Sequence, residues 1–544
     1  MASVRRPYYQ SQATQGVAID WLSTTPAVPD YAAAISATCP ATLPAGVVSC
    51  TIDGQGNTDY SFQLQIPAGT YTHFTVTTFD APPAAGTFTG SMLAQGQLAA
   101  PVVIAAGTSN TIPSLTFYGV PATVSFVAAP AQSHVATYGG NLAVIGNLPQ
   151  TFFAQAEDAD GFLISSNDSG APTITVAEAA SDSPQHFTVG TTADANEFTL
   201  TAVDASANAV IDATATPGGT GLSAVTNALT VTPAQELWTT QEAGTNPNGI
   251  FGYAIYPGVV SPKGPIDEYE DPIGNPLCGG GGSSCNFFEA AVDPTSGVIY
   301  AVGSEDSIPQ VYAFTQNAGS QGITAPAAAA YVEAAGANVE AMAIDTQHHG
   351  FIVDDNSGNV ALEAYSTASS GWSAITSSTN ASLTSDEAES VAVAPTAANV
   401  PSALVGTIWV GSNNGQMLVY PAFSGSSFGT PGTVNPGQSE SVIGFDSAGY
   451  LWVSTGNTIY VYSVSGTAAS PALTQVGTVS LVTPGAGGSS FGAAAGQHMW
   501  FGEGTGEYTG YDLYTASSCP SCSLSRSATD LATNSGSFAA FVTP

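Results

Sequence analysis

The sequence predicts an all-β chain: two N-terminal β-sandwich domains followed by a six-bladed β-propeller. Three observations carry this expectation. A three-strand pattern recurs about every 50 residues, from Asp293 to Asp345 to Pro395 to Asp446, a spacing that suits four-stranded blades. The N-terminal part alternates apolar and polar residues at period two between turn signals. Helical periodicity is nearly absent, and Ala-rich stretches such as Ala325-Pro326-Ala327-Ala328-Ala329-Ala330 lack a polar face and fall between blades.

Each repeat is a small-apolar strand ending in Asp or Pro, a turn, a strand with a central aromatic, then a strand with Tyr. Ser441–Asp446, Gly449–Val453 and Ile459–Tyr462 form the clearest copy. Val391–Pro395 with Thr407–Val410 and Leu418–Tyr420, and Phe491–Ala494 with His498–Phe501 and Asp512–Tyr514, match it closely. Ala290–Asp293 with Val298–Tyr300 and Val311-Tyr312, and Ala341–Asp345 with Phe351–Val353 and Ala364-Tyr365, supply two more. The sixth copy is split between the ends of the region. Ser537–Pro544 provides a first strand, while Glu236–Thr239 and Tyr253–Tyr256 provide the strands that should follow it. A chain that ends with one strand and begins with the others closes a ring of sheets and leaves only short edges. Phe541 is therefore expected beside Leu237.

The blade pattern, over roughly 236–544, resembles the broad six-bladed superfamily of NHL-repeat, gluconolactonase-like and virginiamycin B lyase-like proteins. Gly496-Gln497-His498-Met499-Trp500-Phe501-Gly502-Glu503 is nearest to a lyase-type blade. The resemblance implies architecture; propellers host many unrelated activities, so it does not imply one of them.

Residues 17–118 read as one sandwich, with alternation over Thr58–Ile66 and Phe74–Asp80 around the turn Pro67-Ala68-Gly69-Thr70. The run Ile66–Tyr71 and the Asp-ended strand after it resemble the transthyretin-like or carboxypeptidase-regulatory type. Residues 119–232 hold short strands at Ala122–Val127, Gln150–Ala156, His186–Val189 and Phe198–Val203, a pattern read as an immunoglobulin-like sandwich. Residues 1–16 form an arm. From Tyr8 through Trp21 the start is polar-aromatic without an obvious core, either adding a strand to a neighbouring subunit's sheet edge or remaining a loose terminus.

Composition sets the partners. Among 544 residues, 4 Lys plus Arg stand against 40 Asp plus Glu, a formal charge of −36. Only 8% of residues are charged, where a typical domain has about 25%. Nucleic acid is excluded because phosphate neutralisation needs clustered cations. An anionic membrane surface is excluded by the same sign argument, and no apolar run reaches the roughly 18 residues of a membrane span. A protein partner or a second copy is expected instead. Solubility rests on Ser, Thr, Asn, Gln and a negative field that weakens in acid. That fits an acidic or extracellular setting, or else a lineage-wide compositional bias.

The cysteines form three close pairs, Cys39/Cys50, Cys278/Cys285 and Cys519/Cys522, each in a Gly-, Pro- or Ser-rich loop or hairpin. Such pairs read as disulfide staples of an oxidising compartment, hence an extracellular or cell-surface protein. Cys519-Pro520-Ser521-Cys522 is also half of a zinc-site spacing, but no second half lies nearby in sequence. The start, Met1-Ala2-Ser3-Val4-Arg5-Arg6-Pro7, does not lead into the hydrophobic stretch of a signal peptide.

Candidate ligands are carboxylates. Glu289, Glu340, Glu389 and Glu440 precede or begin the first strands of four repeats, and first strands line a propeller's channel. Counted back from Pro395 and Asp446, Glu389 and Glu440 share one register, with Glu340 one position off and Glu289 two. Such a set either holds Ca2+ or Mg2+ at the channel mouth, as the gluconolactonase-like resemblance implies, or is the solvated end of strands leaving a sheet. Glu157-Asp158-Ala159-Asp160-Gly161 reads as a calcium loop or as a hairpin turn.

Catalytic constellations are thin. His348, His349 and His498 fall in turns or at the start of second strands, and a lyase-type site would ask for a channel histidine; His498 and Glu503 lie in the matching blade. Lys263 reads as a loop residue. Two classes remain: a non-enzymatic extracellular structural or binding protein that self-assembles, and a metal-dependent lactonase- or lyase-type enzyme. The first is preferred, with no catalytic residue assigned.

Overall fold

The computed structural model describes residues 14–36, 59–84, 87–98, 115–130, 132–164, 170–219, 221–241, 249–256, 286–305, 308–317, 339–356, 359–367, 372–379, 388–412, 415–438, 442–455 and 458–480. It also describes short isolated stretches elsewhere and the strand backbone from 488 to 542. Among the described residues every regular element is a β-strand and no helix occurs.

The first region is built on the sheet Tyr31–Ser36, Gly16–Ser23, Gly69–Phe79, Met92–Leu98 and Thr116–Gly119, in that order. Period-two alternation buries Val17, Ile19 and Trp21 on one face of Gly16–Ser23. Trp21, 1% exposed, stacks edge-on against Tyr71 at 5.9 Å. This corrects the expectation of a coreless start running through Trp21, because the alternation begins at Val17 and delivers these side chains into the core. Ala2–Ser3 pairs with Asp59–Leu64 of the same chain, Ala2 opposite Phe62.

Two sheets follow. One runs Thr123–Ala128, Gln150–Glu157, Glu197–Ala202, Phe187–Thr191; the other begins Val135–Tyr138, Asn141–Ile145, Val225–Gln241, Ala209–Thr216, Thr173–Glu178. Strict alternation along Gln150–Glu157 aims Phe152, Ala154 and Ala156 inward. The core is continuous from Val17 to Val231.

The 225–241 strand joins the two halves of the chain. Its first part pairs antiparallel with Ala209–Ala215, and Val231–Ala234 pairs parallel with Leu142–Ile145. From Gln235 on it pairs with Gly249–Ile255 on one side and with Ala539–Val542 on the other. Pro233, which has no N–H to donate, sits where the strand passes from one sheet to the next. The expected boundary after residue 232 thus falls inside a single strand. Tyr138 stacks on Tyr256 at 4.1 Å beside Ile145 and Ala254, sealing the seam. Buried Glu236 accepts from Gln316 Nε2 and lies 3.9 Å from His134 Nε2.

Beyond the seam come antiparallel meander sheets. They begin at Asn286–Val292, Val339–Ile344, Ala388–Val393, Val442–Phe445 and Gly488–Ala494. Each first strand lies beside the next, and Ala539–Val542 lies beside both Gly488–Ala494 and Asn286–Val292, so the succession returns to its start. Phe541 is the register partner of Leu237, as the split repeat requires. Second strands are buried on both faces: every residue of Ile408–Ser412 is buried, and Tyr300, Trp409 and Trp452 are fully enclosed. Large aromatics in such positions are the main apolar contribution, about 1.5–3 kcal/mol for each fully buried side chain.

Candidate functional site

A first strand pairs on one side only, so its inward N–H groups need acceptors from elsewhere. Glu289 supplies one. It pairs with Val302, is 7% exposed, and its carboxylate accepts from the N–H of Met342 on the next first strand as well as from Ala290. Burial pushes this carboxyl well above the usual range; the two N–H bonds draw it back while nearby Glu340 raises it further. Two sheets on, Ser390 occupies the corresponding register opposite Gly411, and its Oγ accepts from Ile443 N at 3.1 Å. Carboxylate and hydroxyl thus do the same work of tying neighbouring first strands.

β-Bulges decide the register of the other candidates. Glu340 is the extra residue between Val339 and Ala341, and Glu389 the extra residue between Ala388 and Ser390, so these two share a position. Counting from Pro395 misplaced Glu389 by one. The N–H that closes the turn onto the second strand belongs to Ala394, bonded to Thr407 O at 2.9 Å, the role of Asp446 N on Tyr450 O at 3.0 Å. The structure therefore brings Glu289 and Glu340 together and leaves Glu389 in Glu340's register with its side chain undescribed. Glu440 lies outside the described residues. Among the described residues no cluster of three or more His, Cys, Asp or Glu side chains forms.

The strand-ending aspartates close the turns. Asp293 Oδ1 accepts from Thr295 N at 2.8 Å and Ser296 N at 3.2 Å. Asp345 Oδ1 accepts from Gln347 N and His349 N, both at 2.8 Å. Asp446 Oδ1 accepts from Ala448 N at 3.0 Å and Tyr450 N at 2.9 Å. Asp is favoured because its short carboxylate reaches backbone N–H groups two to four residues on.

The second oxygens differ. Asp446 Oδ2 takes the indole N–H of Trp452 at 2.9 Å, Asp345 Oδ2 takes His349 Nδ1 at 2.9 Å, and Asp293 Oδ2 takes His348 Nδ1 at 2.7 Å. His348 has φ 64°, in the place where the equivalent turns put Gly297 and Gly449. It thereby ties its own turn to the preceding sheet, alongside Thr295 Oγ1 to Thr346 O at 3.1 Å and Tyr300 OH to Thr367 O at 3.1 Å.

These environments split the carboxylates. Burial works against the charge of Asp293, yet the His348 bond and the Thr295 and Ser296 donors hold it below the usual range. Burial of Asp446 dominates its donors and lifts it. Burial, with Asp293 nearby, pushes the Tyr300 phenol up to about 12.

Other sequence candidates fall as follows. Asp158 closes a hairpin turn, its Oδ1 accepting from Asp160 N and Phe162 N at 3.0 Å with Gly161 at φ 78°, the second of its two sequence readings. His498 pairs in its strand with Ala494 and Thr515, and Glu503 with Gly510, side chains undescribed. Cys50 stands opposite Phe62. Cys39, Cys278, Cys285, Cys519, Cys522, Lys263, arm residues 4–13 and the stretch 325–328 lie outside the described residues. The inter-strand role of Glu289, which the sequence offered as a candidate metal ligand, and that of Ser390 escaped the sequence reading because bulges set their alignment.

No family model matches the chain, and no curated protein does. Solved structures give loose likenesses. A protein from Lactobacillus plantarum is 12% identical over 54% of this chain and 81% of its own, TM-score 0.36. Virginiamycin B lyase from Staphylococcus aureus is 13% identical over 45% and 84%, TM-score 0.28. The Dos1 propeller is 11% identical over 55% and 68%, TM-score 0.29. At such scores the architecture rests on the strand ladders themselves.

Proposed function

We propose that this chain is a non-enzymatic binding and assembly protein of the cell exterior. In this reading a six-bladed β-propeller, 233–544, is carried on two β-sandwich domains, 17–118 and 119–232, behind an arm, 1–16. One observation carries it: the ionisable groups that suggest chemistry are engaged in holding the fold. Asp293, Asp345 and Asp446 cap turns, His348 and His349 are bound by two of those carboxylates, and Glu289 ties one first strand to the next. General acid–base catalysis needs a positioned group available to a substrate. The continuous 225–241 strand and the Tyr138–Tyr256 stack support a rigid mount, as a presenting module requires. Disulfides Cys39–Cys50, Cys278–Cys285 and Cys519–Cys522 belong to this reading, and peptide mapping without reductant tests them.

A second reading is favoured by the proximity of Glu289 and Glu340. In it, Glu289, Glu340, Glu389 and Glu440 hold Ca2+ or Mg2+ for a lactonase- or lyase-type reaction. Thermal unfolding separates the two. Under the first, neither adding nor chelating divalent cations moves the midpoint, and Glu289→Gln raises neutral-pH stability by about 1 kcal/mol by removing a buried charge next to another. Under the second, calcium or magnesium raises the midpoint, and Glu289→Gln with Glu340→Gln abolishes that rise.

A further inference from the structure

We infer that His134 and Glu236 form a proton-loaded latch across the seam: one proton held by the pair keeps the sheets before residue 233 locked to those after it, and loss of that proton, or gain of a second, loosens the lock. The inference concerns the joint alone and stands whichever reading of the function holds.

The two groups come from opposite sides of the joint. His134 precedes the strand Val135–Tyr138, and its carbonyl accepts from Ile145 N at 2.9 Å. Glu236 lies on the part of the 225–241 strand where pairing has passed to Gly249–Ile255 and Ala539–Val542. Both side chains are 0% exposed, with His134 Nε2 3.9 Å from Glu236 Oε2. On the other edge of the imidazole, Nδ1 is 2.8 Å from Ser133 Oγ. Gln316 Nε2, at the end of the strand Ile308–Gln316, donates to Glu236 Oε2. Backbone encloses the carboxylate: a Cβ on Gly252 would collide with Oε1, and one on Gly146 would stand 3.3 Å from Oε2. Gly146, at φ 71°, also donates its N–H to Ala234 O at 2.8 Å. The residue that closes the joint is thus the one that makes room for the carboxylate.

The surroundings offer no fixed countercharge. The chain's cations are Arg5, Arg6, Lys263 and Arg526, and none lies on a strand paired or packed beside Glu236 among those described. The 225–241 strand holds no other ionisable residue. Its neighbours bring the phenols Tyr138, Tyr253, Tyr256 and Tyr312 and the carboxylates Glu289, Glu197 and Asp212, the last opposite Ala228 on the earlier part of the strand. Asp293 and His348 approach through Gly297, whose turn meets Asn147, and are bonded to each other at 2.7 Å. Within the enclosure, the charge of Glu236 is balanced by a proton or by nothing.

With one proton the pair is neutral overall, either as imidazole with carboxylic acid or as imidazolium with carboxylate. With none it is anionic and with two it is cationic, and either charge is sealed from water at a cost. In the unfolded chain a Glu carboxylate ordinarily titrates near about 4.3 and an imidazole near about 6.5. The unfolded pair therefore holds two protons in strong acid, one between those values and none in alkali. A folded joint that holds one takes up a proton on forming above neutrality and releases one on forming in strong acid. Its stability is greatest between the two values and falls as pH rises through neutrality.

Hydrogen exchange of the Leu142–Gly146 amides in the full chain, read by mass spectrometry, reports opening of the joint, and comparing two forms at the same pH cancels the intrinsic exchange rate. The reference is His134→Gln with Glu236→Gln, which places an amide at both positions and has no proton to hold. Protection of wild type relative to this reference is expected to be level between about pH 5 and 6 and to fall about tenfold per unit above about pH 7. Glu236→Gln alone leaves a buried imidazole without its carboxylate, so its protection relative to the reference should instead rise from about pH 5 to 6.5. Circular dichroism verifies folding. If the double variant does not fold, wild type against Glu236→Gln gives the same tenfold fall per unit above about pH 7. A wild-type ratio that stays level from about pH 5 to 9 overturns the latch, as does a Glu236→Gln variant that follows the wild-type slope.

Discussion

The neighbouring sheets that begin at Ala388–Val393 and Val442–Phe445 solve one problem in two ways. Each buries a tryptophan completely in its second strand, Trp409 in one and Trp452 in the other, at the same ladder position. Most buried indole N–H groups find an acceptor, because leaving one unpaired costs free energy. Trp452 donates to the Asp446 carboxylate at 2.9 Å. Trp409 has Ala394 in the corresponding place and donates to Thr407 Oγ1 at 2.9 Å, while Thr407 donates to Leu404 O at 2.6 Å. The fold asks for an acceptor, and a neutral hydroxyl serves as well as a charge. A buried aspartate in this region is thus an architectural part that one sheet uses and the next replaces.

The largest expected effect is at Asp446. Asp446→Ala strips acceptors from Ala448 N, Tyr450 N and the Trp452 indole together, and should cost about 3 kcal/mol or more in denaturant unfolding. Thr407→Val removes a single neutral acceptor and should cost about 1–2 kcal/mol. Equal losses at the two sites would mean that the turn at Asp446 is held by something other than its carboxylate.

Acidity sharpens the contrast, because Asp446 and Asp293 cap equivalent turns of different sheets but are shifted oppositely. Asp446 is raised by burial in spite of its donors, so its contribution is fully present below the ordinary Asp value of about 4 and is lost as pH rises through its folded value. Asp293 is lowered by its donors in spite of burial, so its contribution is present above about 4 and is lost as pH falls through its folded value. The stability gap between wild type and Asp446→Asn should be widest in mild acid. The gap for Asp293→Asn should be widest at neutral pH and close in acid. Denaturant midpoints followed across pH measure both, and parallel profiles would refute the opposed shifts.

Much of this was legible in advance because the repeat carries its own ruler. Strand-ending Asp, central aromatic and following Tyr recur with the period of a sheet, and the split sixth copy pointed to the Leu237–Phe541 pairing that the ladder contains. Register inside the first strands was not legible. A bulge adds a residue without changing composition, and in the 388–412 hairpin Ala394 takes the place that Asp holds in the other turns, with Pro395 one residue beyond it. The join between regions was hidden for a related reason: the sequence suggested a domain boundary after Thr232, yet Pro233 stands where the ladder changes partners inside one strand. What the carboxylates bind was invisible too, since His348 meets Asp293 only when adjacent sheets pack.

A third tryptophan supplies the mildest test. Trp238 is as buried as Trp409 and Trp452, but its Nε1 has no hydrogen-bond partner among the described residues. Replacing it with Phe removes ring volume without breaking an indole bond, whereas Trp452→Phe removes both the volume and the bond to Asp446. The loss at Trp238 should be smaller than that at Trp452 by about 1 kcal/mol, the net worth of one buried hydrogen bond. The comparison controls for size because both indoles leave a similar void between second strands. If the two losses were equal, the carboxylate at Asp446 would be serving its turn alone, and the exchange of Asp446 for Thr407 between neighbouring sheets would be incidental to how the tryptophans are held.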